Sequence, residues 1–358
     1  MRVVITGGHL TPALATIEVL RDRDAEVFWF GEKRAFVGQK NQTLEYQVIP
    51  ALGIPFFSIT SCKLQRNDSL KTILNSWKLA IGFFQSLIYF SKIRPHVLLS
   101  FGSYVAVPPT LAAAVLGIPI VTHEQTTVAG LANKIIANFA KKVAVTFPSE
   151  NKNDKIVLTG NPTRKLVFEI AKKKKLPQKP LTIFITGGSR GSHNINLAVG
   201  EIVVKLLKEF KVIHQTGSLD FDEMVKIWGE LPKTLQKKYQ VLSSFRGEEI
   251  FPIIDLAISR SGANTVVELA ALGVPTIFIP LPWSGGGEQL KNARAFEETG
   301  LGVVLTEEEL SPQKLLKTIK NIAKNYSSFK KNAGKAKKLA NPHAAENLAD
   351  LTFSVSRK

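Results

Sequence analysis

The chain has 358 residues, with 47 Lys and Arg against 29 Asp and Glu and a formal net charge of +18. At roughly 100–200 residues per domain this length predicts two domains, and a composition 44% hydrophobic and 21% charged excludes a disordered or fibrous chain. The single cysteine, Cys62, excludes an intramolecular disulfide framework and a thiolate-rich zinc site, and fits a reducing, cytoplasmic compartment.

From the start, Met1-Arg2-Val3-Val4-Ile5-Thr6 runs straight into glycines, so no apolar secretion-signal core is expected. The runs Val3–Thr6, Glu26–Phe30, Val97–Ser100, Pro119–Thr122 and Val143–Thr146 are short, β-branched and separated by helical patterns. That alternation predicts a parallel sheet buried on both faces. Gly7-Gly8-His9-Leu10-Thr11-Pro12 closes the first strand, with Thr11 expected as the N-cap and Pro12 at N1 of the following helix. His9 then stands at a strand's carboxyl end, as a candidate base or phosphate donor or simply as a turn residue. The segment from Leu70 to Phe90 sets Trp77, Phe83, Phe84, Tyr89 and Phe90 among Lys71, Lys78, Lys92 and Arg94. It reads either as a helix lying in a lipid headgroup layer, with Trp77, Phe83 and Phe84 on the lipid face, or as a core helix. Lys78, Gln85 and Ser86 interrupt its apolar stretch, which is too short to span a bilayer. Phe101-Gly102-Ser103-Tyr104 and His123-Glu124-Gln125-Thr126 occupy further strand ends.

The charged, proline-punctuated stretch Lys172 to Pro180 is expected to mark the interdomain boundary region. A second strand series follows in Thr182–Thr186, Val212–Gln215, Gln240–Ser243, Leu256–Ser259 and Thr276–Pro280, with an amphipathic helix over Ile195 to Phe210. Each half opens on an apolar strand ending Thr-Gly-Gly, at Thr6-Gly7-Gly8 and Thr186-Gly187-Gly188, so the architecture is duplicated. Two Rossmann-like domains are expected to face a cleft at the carboxyl ends of their strands. Gly187-Gly188-Ser189-Arg190-Gly191-Ser192 links strand to helix, either as a diphosphate cradle or as a tight turn. The next strand ends His214-Gln215-Thr216-Gly217, without the acidic residue a nicotinamide dinucleotide site requires. Ser259-Arg260-Ser261-Gly262-Ala263-Asn264-Thr265-Val266-Val267-Glu268 places Thr265 and Glu268 on one helical face. There Glu268 can accept both hydroxyls of a ribose; alternatively Asn264 or Thr265 caps the helix and Glu268 only complements its dipole. Pro282-Trp283-Ser284-Gly285-Gly286-Gly287-Glu288-Gln289 adds sugar-type hydrogen-bonding groups, or is a surface loop. The positive charge asks for an anionic partner, a phosphorylated substrate or an acidic membrane surface; nucleic acid is not expected, because the lysines lack aromatic interleaving. No metal-ligand cluster is apparent.

The order Gly-Gly-His, Phe101-Gly102-Ser103-Tyr104, His123-Glu124-Gln125, Gly160-Asn161-Pro162-Thr163-Arg164, Gly187-Gly188-Ser189, His214-Gln215-Thr216-Gly217 and Arg260-Ser261-Gly262 resembles the MurG family over nearly the whole chain. The resemblance implies an α/β GT-B fold, with an acceptor and membrane-binding domain over 1–162, a UDP-sugar donor domain over 163–340, and a segment 341–358 packing back towards the first. It implies a peripheral enzyme at the cytoplasmic face of the cell membrane, without metal or cofactor. Its partners would be UDP-GlcNAc, an undecaprenyl-linked muramyl-peptide acceptor and an anionic membrane surface. By inverting transfer it would place GlcNAc on the muramyl 4-hydroxyl of lipid I, giving lipid II. On the donor side the resemblance implies Glu268 for the ribose, Ser189 with Gly187 and Gly188 for the diphosphate, and Phe245 and Arg246 beside uracil. Arg164, Gly262, Ala263, Thr265, Glu288 and Gln289 would line the rest. Gly7 and Gly8 would serve the acceptor with His9, Thr126 would stand where it could touch the transferred sugar, Tyr104 would be a further substrate-binding residue, and His9, His123 and Glu124 would be candidates for the base. Three positions depart from the family pattern: the first glycine loop is about three residues shorter, Thr126 replaces an asparagine, and Glu288 replaces a glutamine. A transferase with another lipid acceptor, a UDP-GlcNAc 2-epimerase, or a non-catalytic membrane-associated protein of the same fold are the competing readings.

Overall fold

The apolar runs pair into two sheets, each parallel throughout. In this computed structural model the described residues are 1–34, 42–62, 77–126, 130–147, 153–174, 177, 179–188 and 190–357. They divide into two compact units, Met1–Arg164 with Pro342–Lys358, and Lys165–Asn341.

In the first unit the strands are β1 (Arg2–Gly7), β2 (Glu26–Gly31), β3 (Phe56–Ser58), β4 (Val97–Phe101), β5 (Ile120–Glu124), β6 (Lys142–Val145) and β7 (Ile156–Leu158), in the order β3-β2-β1-β4-β5-β6-β7. Counting helices of eight or more residues, α1 (Leu10–Asp22), α2 (Leu44–Ala51), α3 (Trp77–Ile93), α4 (Val107–Val115) and α5 (Leu131–Phe139) belong to this unit. In the second unit β8 (Thr182–Thr186), β9 (Lys211–Gln215), β10 (Tyr239–Leu242), β11 (Leu256–Ser259), β12 (Thr276–Phe278) and β13 (Gly302–Val304) lie in the order β10-β9-β8-β11-β12-β13. Its longer helices are α6 (Lys165–Lys173), α7 (His193–Glu209), α8 (Phe221–Glu230), α9 (Ala263–Leu272), α10 (Glu288–Glu297) and α11 (Pro312–Lys324). The final helix, α12 (Ala344–Val355), returns to the first unit and packs on α1, burying Leu348 and Ala349.

Alternate residues of each central strand feed opposite faces. Val3, Ile5, Val97 and Leu99 pack with α1 and α12, while Val4 and Leu98 join Phe30, Phe90 and Ala112 on the other side. The second sheet repeats this, with Ile183, Ile185 and Ile258 against α7 and α11, and Phe184 and Ala257 against α9. Burial on both faces is why these strands read as unbroken apolar runs. In each sheet the strand order reverses beside its first strand, between β1 and β4 and between β8 and β11. Such switch points are where open α/β sheets leave room for ligands outside the strands' carboxyl ends.

Three local expectations are corrected. First, α1 begins at Leu10 with His9 as its N-cap, and Pro12 is its third residue. Proline fits there because the first turn's N–H groups have no intrahelical partner in any case. Second, the boundary falls at Arg164/Lys165, and the described part of Lys172 to Pro180 lies inside the second unit. The cause is the amphipathic α6, which buries Val167 in that unit's core, while the Lys174 ammonium donates to the Phe251 carbonyl at 2.9 Å. Third, Phe83, Tyr89 and Phe90 of α3 face the core, and the Phe90 and Phe30 rings stack at 5.1 Å. The exposed stripe is Trp77, Ile81, Phe84 and Ile88, spaced four, three and four residues apart. The part of Leu70 to Phe90 before Trp77 lies outside the described residues. Among the described residues no helix is long and apolar enough to cross a membrane.

Candidate active site

At the carboxyl ends of β1, β4 and β5 the backbone is packed too tightly for side chains. A Cβ on Gly7 would fall 2.7 Å from the Phe101 carbonyl carbon, and one on Gly8 would fall 2.8 Å from the Ser103 Cβ. Ser103 itself holds φ 71° and ψ 162°, a region normally left to glycine. Asn133 of α5 sustains this strained turn: its Oδ1 accepts from the Ser103 N–H at 3.1 Å, and its Nδ2 donates to Glu124 at 2.6 Å. The other Glu124 oxygen accepts from the Thr126 N–H at 3.0 Å and the Thr126 hydroxyl at 2.7 Å. The Tyr104 hydroxyl donates to Glu32 at 3.3 Å.

The three candidate bases therefore stand in different settings. His123 is buried, its Nε2 lies 3.1 Å from the Gly160 carbonyl, and desolvation pushes its pKa down to about 4. Glu124 is engaged as a brace, joining the Asn133 side chain of α5 to the Thr126 N–H and hydroxyl. His9 is half-buried, with Nδ1 held 2.8 Å from the Gln125 side-chain nitrogen. Desolvation lowers its pKa and the Glu124 charge partly offsets that. Arg164 ends the first of this unit's two chain segments, and its Nε donates to Glu18 at 3.3 Å.

In the second unit, the loop between β8 and α7 carries Gly187, Gly188, Gly191 and Ser192; Ser189 lies outside the described residues. Among the described residues nothing lies within 4 Å of where a Cβ on Gly188, at φ +84°, would stand, whereas a Cβ on Gly191 would meet the Thr216 carbonyl at 1.8 Å. One edge of the loop is thus open and the other interlocked with the next loop. Ser192 is the N-cap of α7, yet its hydroxyl makes no capping bond; it accepts from Arg260 Nη2 at 2.7 Å. The same guanidinium donates to the Ile279 and Pro280 carbonyls at 3.1 and 3.2 Å and to Glu307 at 2.6 Å. Burial alone would raise the Glu307 carboxyl; the hydrogen bonds from Arg260 and Asn194 outweigh it and hold the group below its usual range.

Behind this loop a buried chain of polar groups has one consistent direction. Asn196 Nδ2 donates to Asp220 at 2.7 Å and to the Thr216 carbonyl at 2.9 Å, so its Oδ1 accepts from His214 Nε2 at 2.9 Å. His214 Nδ1 then accepts from the Tyr239 hydroxyl at 2.9 Å. Desolvation pushes the imidazole down to about 3, and it stays neutral.

The start of α9 answers the capping question. Its N-cap is Gly262, with no side chain to cap, and Ala263 is its first residue, so Asn264, Thr265 and Glu268 all lie inside the helix. Thr265 and Glu268 are half-buried. Ser261 donates to the Gln289 carbonyl at 2.8 Å, and the Gln289 side-chain oxygen accepts from the Leu281 N–H at 3.0 Å. Glu288 opens α10 after Gly286 and Gly287, at φ +66° and +69°. Phe245 is committed to packing, edge-on to Phe184 at 4.9 Å, so Arg246 is the exposed member of that pair.

Residue by residue, Gly7, Gly8, His9, Tyr104, Glu124 and Thr126 come together in the first unit. Gly187, Gly188, Gly262, Ala263, Thr265, Glu268 and Gln289 lie on the loops and helix starts after β8, β11 and β12 of the second. Motif reading passed over Asn133, Arg260, Glu307 and Asn196 as functional groups. Arg260 stood within a quoted motif; the others look like ordinary surface or mid-helix polar residues. Among the described residues no group of three or more His, Cys, Asp or Glu side chains is placed to hold a metal ion.

Two family models match. The glycosyltransferase family 28 N-terminal domain covers residues 3–145 and its C-terminal domain residues 182–348. A Clostridium perfringens (strain SM101 / Type A) relative is 34% identical over 98% of this chain and 97% of its own. Another, from Lachnospira eligens, is 36% identical over 90% of each. Both are named UDP-N-acetylglucosamine--N-acetylmuramyl-(pentapeptide) pyrophosphoryl-undecaprenol N-acetylglucosamine transferase. Among solved structures, MurG of Acinetobacter baumannii superposes with a TM-score of 0.75 at 26% identity over 99% of each chain. A UDP-GlcNAc 2-epimerase from Neisseria meningitidis, at 15% identity and a TM-score of 0.64, shares the fold alone. With two all-parallel Rossmann-like sheets and full-length relatives above 30% identity, this chain belongs to the MurG family of glycosyltransferases.

Proposed function

We propose that this chain transfers N-acetylglucosamine from UDP-N-acetylglucosamine to the muramyl 4-hydroxyl of an undecaprenyl-pyrophosphoryl muramyl-pentapeptide, the step that makes lipid II for peptidoglycan. One observation carries the reading: α7 and α9 start at the carboxyl ends of the neighbouring strands β8 and β11, and neither has a side-chain cap. Two uncapped helix starts offer backbone N–H groups and dipole charge to a diphosphate. Full-length similarity to transferases named for this donor and acceptor supports the same reading.

In this assignment Glu268 accepts the ribose hydroxyls, and the Gly187-Gly188-Ser189 loop with Gly262 and Ala263 takes the diphosphate. Phe245 and Arg246 border the uracil, and Thr265, Glu288 and Gln289 the donor sugar. Gly7 and Gly8 serve the acceptor, Thr126 borders the transferred sugar, and Tyr104 is a further substrate contact. The acceptor hydroxyl oxygen attacks the sugar's C1, the bond from C1 to the diphosphate oxygen breaks, and its electron pair leaves with UDP. His9 takes the hydroxyl proton, and the helix starts with Arg164 stabilise the departing charge. His123 and Glu124 hold the framework around His9. The exposed α3 stripe and the net charge of +18 suit peripheral binding to an anionic membrane at its cytoplasmic face, with no role for nucleic acid.

The test is transfer of labelled GlcNAc from UDP-GlcNAc to muramyl-pentapeptide lipid in anionic vesicles. Label recovered in the lipid as a disaccharide is expected. Donor turnover that leaves the lipid unlabelled, or epimerisation without lipid, overturns the reading.

A further inference from the structure

Gln125 follows directly on β5 and is nine-tenths buried. Its side-chain nitrogen lies 2.8 Å from His9 Nδ1, while its Oε1 is buried with no hydrogen-bond partner among the described residues. In this orientation the carboxamide donates, so Nδ1 must accept and the neutral ring carries its proton on Nε2. A ring in that state can donate a hydrogen bond from Nε2 and cannot take a proton there. Turning the carboxamide by half a rotation brings Oε1 against Nδ1, which then carries the proton and donates it, leaving the Nε2 lone pair open. The orientation shown leaves Oε1 buried and unpartnered among the described residues, which carries a desolvation cost, so the carboxamide is held less firmly there than a fully paired one would be. The rotated position is therefore within reach, as a two-state element requires.

We propose that Gln125 is the positioning residue that sets the tautomer of His9: with Nε2 of Gln125 towards the ring His9 is a hydrogen-bond donor, and with Oε1 towards the ring it is a base. This deepens the proposed function and rests on the reading of His9 as the base. The titratable groups around the imidazole are Glu124, whose charge favours its protonation, and His123, which stays neutral. Neither touches Nδ1 in place of Gln125.

Gln125→Glu and Gln125→Leu separate the two positions. A carboxylate can only accept, so Gln125→Glu holds the rotated state permanently. It is expected to keep kcat within about tenfold of the parent while moving the acid limb of the pH–rate profile up by about one unit or more, because the new charge favours imidazolium. Gln125→Leu cannot accept, and is expected to lower kcat by about ten- to a hundredfold at unchanged UDP-GlcNAc KM. Nitrogen-15 NMR of the full-length chain labelled at histidine should show Nδ1–H at His9 in Gln125→Glu above its pKa. A Nε2–H tautomer there, a parental rate and pH profile in Gln125→Leu, or a Glu variant as impaired as the Leu variant each overturns the inference. The reading beneath it fails separately: if His9→Ala transfers sugar at the parental rate, His9 is not the base, and the NMR result still decides whether Gln125 sets its tautomer.

Discussion

The two units place their loops on the same kind of switch point and brace them in opposite ways. In the first, one carboxylate and one carboxamide, Glu124 and Asn133, hold the turn, and a single half-buried imidazole stands beside an incompletely satisfied amide. In the second, the glycine loop is locked by a buried guanidinium, an aligned polar chain and glycine-to-carbonyl contacts, and the N-cap hydroxyl of α7 is drawn away from its own helix. The difference matches the chemistry proposed for each. Backbone amides bind a diphosphate best when they are fixed in advance, so their ordering cost falls on folding. A proton-accepting group needs a lone pair that can be uncovered.

The largest expected effect tests the first unit. His9→Ala should lower kcat by about 10²–10⁴ with UDP-GlcNAc affinity unchanged. A loss confined to the acceptor KM would make His9 a binding group instead. The second unit should behave in reverse, with structure and donor affinity failing together. Glu307→Ala strands the Arg260 guanidinium, a pair whose side chains are only 11% and 9% exposed. Losing one partner of such a pair costs about 3–5 kcal/mol. Urea unfolding should register that loss, and UDP binding should weaken because Arg260 also holds Ser192. A stable variant with parental UDP affinity would show that the loop needs no brace.

Glu268→Ala should weaken donor binding. A charged hydrogen-bond acceptor contributes about 1.5–3 kcal/mol, so UDP affinity should fall roughly tenfold or more. Isothermal titration with UDP measures this directly, and unchanged affinity in a folded variant removes Glu268 from the ribose.

Much of this frame was legible in the residues. Interior strands such as Val97–Phe101, buried throughout, announce themselves as apolar runs, and the glycines after β1 and β8 mark strand-to-helix turns. The edge strands β3, β7 and β13 were not legible: each has three residues, too few for a period to show, and pairing with a neighbour decides them. The site divides similarly. His9 and Glu268 stand in local motifs, while the partners that give them character are distant in sequence. Gln125 meets His9 across 116 positions, and Glu307 meets Arg260 across 47. No local pattern encodes such a contact, and the orientation of an amide is set only by what surrounds it. Helix starts were misplaced by two residues at α1 because proline is tolerated at several first-turn positions.

The smallest effect is shared by both units and checks the burial on which the comparison depends. His123 in the first unit and His214 in the second are held neutral by desolvation, with pKa values pushed from 6.5 down to about 4 and about 3. The unfolded chain binds a proton at each near pH 6.5, and the folded chain does not. Both contributions to stability are therefore complete above pH 6.5 and are lost as the pH falls towards 4 and 3. Each should add a slope of about 1.4 kcal/mol per pH unit below 6.5, and His9, whose pKa is also lowered, adds in the same direction. Between pH 6.5 and about 5 ordinary carboxylates remain ionised, so the slope there belongs largely to histidine. Urea unfolding across that window should show the slope reduced by about one proton in His123→Asn and by about one in His214→Asn. A slope unchanged in His214→Asn but reduced in His123→Asn would mean that the polar chain of the second unit admits a proton, and that its loop is less firmly fixed than the aligned bonds from Tyr239 to Asp220 imply.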